Sequence, residues 1–184
     1  MTVHHYIASS REIPTGDYGS KAQIVPISHI SEIKIRGIKT PKKTKTNKYR
    51  NDTKINEHYM VVYETDEDFL GIFVAELDGY DEIRNQFSNP YVYHLNCSDH
   101  RNAYRMLFKY IDENLLEGES VELYTCLDGH ELKEKIDSLN IFVNLTTKHF
   151  QNDIGKFKLN EKCLFNELSE RFSFRERQYV LITK

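Results

Sequence analysis

Apolar residues in this chain recur at every second position or in short unbroken runs, the spacing of strands, with a few stretches at helical spacing. Val3 to Ala8 predicts a short strand, and residues 9–20, with Pro14, Gly16 and Gly19, predict a loop. Within 24–38, Ile33 and Ile35 alternate with Lys34 and Arg36, which predicts a strand with one wet face. Residues 58–65 and 69–77 are β-rich runs around Asp66-Glu67-Asp68, and predict a hairpin with a tight polar turn. The nearly continuous apolar run Leu70 to Ala75 predicts a central strand covered on both faces. Tyr80, Ile83 and Phe87 predict a short helix closed by Asn89-Pro90.

The middle of the chain has the most informative pattern. Tyr91 to Cys97 reads as a strand, with Ser98 or Asp99 placed to cap a following helix. Ala103, Tyr104, Leu107, Tyr110, Ile111 and Leu115 form one helical face, and Gly118 ends it. Val121 to Cys126 is a second strand. Asp128 and Glu131 then resemble a capping box, and Leu132, Ile136 and Leu139 continue at helical spacing. The sum is a βαβα unit at about 91–140. Ile141 to Leu145 predicts a short strand, Leu164, Leu168 and Phe172 a helix around 161–172, and Tyr179 to Thr183 a final strand. The expected fold class is α/β or α+β: a single domain over 1–184, with helices packed on a mixed β-sheet of about five to seven strands.

Charge modifies this picture in one place. The formal net charge is −3, but residues 39–54 carry seven Lys and Arg against Asp52 alone, a net of +6 that leaves −9 elsewhere. This segment has no aliphatic residue to offset ordering entropy, so it predicts a mobile basic loop. Lys42, Lys43, Lys45, Lys48 and Arg50 could track a nucleic-acid backbone or meet an acidic partner, with a solvated loop as the plainer reading. Three cysteines, Cys97, Cys126 and Cys163, do not form a disulfide framework and predict reduced thiols in the cytoplasm. The N-terminus lacks the pattern of a signal peptide, and no apolar run is long enough to span a membrane. Abundant Asn, Lys and Ile beside scarce Ala fit an AT-rich genome, bacterial or phage.

Candidate chemistry gathers where the two middle strands end. One run closes on Cys97, Asp99 and His100, the other on Cys126, Asp128 and His130. Strand ends at the carboxyl edge of an α/β sheet are where sites commonly lie. Cys97, His100, Cys126 and His130 have the right chemistry for zinc if the strands are neighbours. His94 and Cys97, at odd separation on one strand, point to opposite faces and cannot share an ion. The same residues read as a thiol enzyme give Cys97 as nucleophile before a helix N-terminus, His100 or His130 as base, and Asp99 or Asp128 as orienter. Arg101 falls at Cys-x3-Arg, not Cys-x5-Arg, and the loop has no glycine, so a phosphatase-type loop is not expected. The plainer reading makes the cysteines core residues and the histidines polar loop groups. His4 and His5 share a strand and point to opposite faces, so no joint metal role is expected of the pair. Carboxylate pairs at Glu76-Asp78 and Asp81-Glu82 lack a calcium-loop pattern. The chain contains no P-loop, no Gly-x-Gly-x-x-Gly and no Gly-x-Ser-x-Gly, so no cofactor is predicted beyond the zinc reading.

These features lead first to a non-enzymatic module that binds or regulates another protein, with 12 Tyr suited to interfaces. The alternatives are a small enzyme or metal-binding protein at the strand-end Cys/His/Asp cluster, and nucleic-acid binding through 39–54.

Overall fold

The computed structural model describes residues 2–20, 23–26, 59–62, 70–79 and 81–184. The chain divides into two compact units, Met1–Ser20 with Leu70–Lys184, and Lys21–Phe69. The basic segment 39–54 lies outside the described residues, as do Tyr80 and the expected polar turn at 66–68. In the smaller unit, β3 (Gln23–Pro26) and β4 (Tyr59–Val62) pair antiparallel.

The larger unit is an α+β fold built on one mixed sheet of nine strands. These are β1 (Val3–Ser9), β2 (Gly16–Tyr18), β5 (Ile72–Glu76), β6 (Tyr91–Cys97), β7 (Ser120–Leu127), β8 (Ile141–Asn144), β9 (His149–Asn152), β10 (Gly155–Lys158) and β11 (Gln178–Thr183). Their order is β10-β9-β8-β11-β7-β1-β6-β5-β2, with β8 and β11 parallel and the other neighbours antiparallel. Helices α1 (Arg101–Asn114) and α2 (Leu164–Arg171) pack on each other and on one face.

Alternation along the central strands builds two cores. On the helix face, Ile7, Tyr93, Leu95, Leu123 and Val180 meet Ala103, Leu107, Phe108 and Ile111 of α1. Tyr104, Phe108, Phe172 and Phe174 join edge to face, with centroids 4.9–5.5 Å apart. Each such pair adds about 0.5–1.5 kcal/mol beyond its buried area. On the opposite face, Tyr6, Ala8, Val92, Tyr124 and Cys126 are buried under Leu77, Ile83 and Phe87. Ile83 comes from the 3-10 helix Asp81–Gln86, where a short helix is expected.

The strands expected at 91–97, 121–126, 141–145 and 179–183 and the helix α1 all form. Six expectations need correction. The sheet has nine strands, not five to seven, and one of them, β2, lies within 9–20, where a loop is expected. The βαβα unit does not form: β1 separates β6 from β7, and 128–140 makes turns and one 3-10 turn at Asp137–Leu139. The backbone of that segment bonds elsewhere. Gln86 donates to Glu131 O (3.1 Å), the Tyr124 hydroxyl to Lys133 O (3.1 Å), Arg177 Nε to Glu134 O (2.7 Å), and Ile136 N to Arg177 O (3.0 Å). The hairpin does not form either, because β4 pairs with β3 whereas β5 joins the nine-stranded sheet between β6 and β2. That places β5 next to the sheet edge, where Phe73 is 42% exposed, not in a doubly covered centre. The cap of α1 is His100, whose Nδ1 accepts from Asn102 N at 3.1 Å, not Ser98 or Asp99.

One buried charge fastens the second core. Glu122, 2% exposed on β7, accepts from Ser88 N (3.1 and 3.0 Å to its two oxygens), Asn89 N (2.7 Å) and the Tyr179 hydroxyl (2.5 Å). Asn89 Nδ2 donates to Ser120 O at 3.0 Å, tying the same segment to the start of β7. Removing the carboxylate strands two backbone donors and a hydroxyl. Glu122→Ala is therefore expected to lower stability by about 3 kcal/mol, and Tyr179→Phe by about 1 kcal/mol. Urea denaturation checks both, as a lower midpoint at unchanged slope.

Candidate functional site

β6 and β7 both run antiparallel to β1, so their carboxyl ends reach the same edge of the sheet. The candidates at those ends separate by face. Cys97 belongs to the helix-side core and Cys126 to the opposite one, so the two thiols stand on opposite sides of the sheet. His94 shares its row with Tyr6 and lies on the face away from Cys97. Asp99 accepts the Tyr104 hydroxyl, and exposed His100 caps α1. His130 Nδ1 lies 2.5 Å from Glu176 Oε1. Cys97, His100, Cys126 and His130 therefore do not gather around one point.

The electrostatics of the thiols point the same way. Desolvation first, then the charge of Asp99, pushes the Cys97 thiol up to about 12. Desolvation, then Glu131 and other carboxylates, does the same for Cys126. An activated cysteine needs a lowered value and access to solvent. Cys97 is 4% exposed and Cys126 0%. Both are packed as small apolar residues. His5, on the helix face, is stacked on Phe174 at 3.9 Å between centroids and bonded to Thr125 Oγ1 at 2.9 Å. Burial lowers its pKa to about 4, so it is neutral near pH 7.

A different group does converge. His4, Asp128 and Glu131 offer one imidazole nitrogen and two carboxylate oxygens, all within 4.8 Å of one another. His4 Nε2 lies 3.7 Å from Asp128 Oδ1. The register explains the meeting. His4 stands opposite Cys126 on β1, and β7 ends at Leu127, so Asp128 emerges beside it. The chain turns immediately: His130 N donates to Leu127 O at 2.8 Å across Gly129, whose φ of +78° glycine adopts without strain. The turn brings Glu131 back, and its Oε1 accepts from Gly129 N at 3.2 Å. Thr2 O accepts from Asp128 N at 3.0 Å. The bonds from Gln86, Tyr124 and Arg177 fix the rest of this loop.

Of the three donors, only Asp128 is a candidate on sequence grounds. The pair of Asp128 and Glu131 is visible there as a capping box. Its alignment with His4 depends on a pairing between β1 and β7 that local pattern does not encode. Donors around a tetrahedral ion at about 2.0–2.2 Å stand about 3.4 Å apart, against the 4.8 Å within which these three lie.

Among the described residues, no helix is long and apolar enough to cross a membrane. No protein-family model, curated protein or solved structure matches the chain.

Thiol chemistry offers a direct check. At pH 8 a disulfide reagent is expected to leave Cys97 and Cys126 unmodified in folded protein and to titrate both after unfolding in urea. Half-buried Cys163, also shifted upward by desolvation and then Glu167, should react first. Mass mapping of the labelled peptides reads the order.

Proposed function

We propose that this protein binds a divalent transition-metal ion, zinc being the best fit, through His4, Asp128 and Glu131. The observation that carries this reading is the convergence of three donors from two elements, all within 4.8 Å. One imidazole with two carboxylates suits zinc and its neighbours in the first transition row. Calcium would call for six or more oxygen donors. The loop supplying both carboxylates is fixed by side chains from outside it, which lowers the cost of holding two negative groups together before an ion arrives. Three protein donors leave a coordination position for water or for a group on a binding partner. That open position suits either a regulatory or a catalytic role. Oxygen donors take the place of the sulfur ligands expected at the strand ends, because the thiols are buried on separate faces.

A protein-partner role draws on Phe73 and Phe142, 42% and 43% exposed. Isolated rings of this kind are ordinary on protein surfaces, so they carry less than the donor cluster.

Titration of metal-free, untagged protein with zinc by calorimetry tests the reading. One ion per chain is expected, with affinity falling at least about tenfold in His4→Ala and in Asp128→Asn. His149→Ala, on a strand away from the site, should bind as the parent does. Unchanged zinc affinity in both His4→Ala and Asp128→Asn would refute the site.

A further inference from the structure

A cavity of about 670 Å³ lies at the other end of β7, walled by α1, the turn between β8 and β9, and the start of α2. Its lining is rich in cations. Arg105 and Lys109 come from α1, Lys148 from the β8–β9 turn, Lys162 from the 3-10 turn Glu161–Cys163, and Lys184 from the end of the chain. Lys184 is already used, with Nζ 2.9 Å from Asp112 Oδ1 and 2.6 Å from Asp112 O. Four cations then face two carboxylates, Glu117 and Glu161. This is a local excess of positive charge on a chain that is acidic outside residues 39–54.

Two details mark the lining as more than a solvated rim. Arg105 Nε is shielded from solvent and has no hydrogen-bond partner among the described residues. A guanidinium N–H in that state costs free energy, which a shift of the side chain toward an acceptor in the cavity would recover. Lys148 holds φ +57°, a left-handed conformation uncommon for residues other than glycine and asparagine. Its Nζ donates to Leu145 O at 2.8 Å, which holds the ammonium at the cavity wall.

We propose that this cavity binds a small molecule bearing a chain of phosphate groups. Arg105 supplies a planar donor fork matched to phosphate oxygens, and Lys109, Lys148 and Lys162 supply point charges around it. The volume suits a ligand of nucleotide size. Leu145, Leu164 and Phe165 give apolar wall beyond the charges. The site shares no residue with the His4, Asp128 and Glu131 cluster.

The test is calorimetry at low ionic strength on metal-stripped full-length protein, with tripolyphosphate as probe and citrate as a carboxylate control. Tripolyphosphate is expected to bind and citrate to bind at least about tenfold more weakly. Arg105→Gln and Lys109→Gln should each weaken tripolyphosphate about tenfold. Lys148→Asn, which keeps a residue tolerant of the left-handed conformation, should weaken it while the variant stays folded. Circular dichroism confirms folding of each variant, and His4→Ala should bind tripolyphosphate like the parent. No binding by the parent, equal binding of citrate, or parent-like binding in the Arg105, Lys109 and Lys148 variants would overturn the proposal. The last outcome would place any binding elsewhere on the chain, such as the basic segment 39–54.

Discussion

β1 lies between β6 and β7 and runs opposite to both, and both faces of the sheet take their side chains from that pairing. Ile7 stands opposite Tyr93 and Leu123 and fills the helix-side core, while Tyr6 and Ala8 fill the other. A strand buried on both faces has its register fixed twice. A slip by one residue would send Ile7 and Tyr6 each to the wrong side and would exchange His4 with His5. His5 adds a third constraint, because its stack on Phe174 and its bond to Thr125 exist only in the observed register. The position of His4 at the candidate metal centre is therefore a consequence of core packing, and weakening the core around β1 would loosen the centre with it.

The same strand explains how far the sequence could be read. The runs at 91–97, 121–126, 141–145 and 179–183 and the amphipathic stretch of α1 carry local periodicity strong enough to name the element. Strand order is a different kind of information. Two runs joined by a helix look like adjacent parallel strands, and nothing in their composition announces that an earlier strand inserts between them. The cysteines bear the consequence. Cys97 and Cys126 occupy equivalent places in two similar strands, yet their positions relative to β1 put them on opposite faces. Residue types at a strand end were legible, but which of them face one another was not.

The missing second helix and the candidate centre have one cause. Leu132, Ile136 and Leu139 have helical spacing, and a helix starting after Leu127 would have used Asp128 as its cap. In that role the carboxylate would accept from the amides of its own first turn. Instead Gly129 reverses the chain, and the carbonyls of Glu131, Lys133 and Glu134 bond to Gln86, Tyr124 and Arg177. Those three bonds come from outside the loop, so they compete with helix formation only in the folded sheet, where tertiary partners stand ready. Asp128 is then left without a helix to cap, and its side chain faces His4. Local propensity and tertiary structure disagree at this segment, and the disagreement leaves two carboxylates beside an imidazole at the sheet edge. Such conflicts between local and tertiary preference concentrate at functional or strained sites.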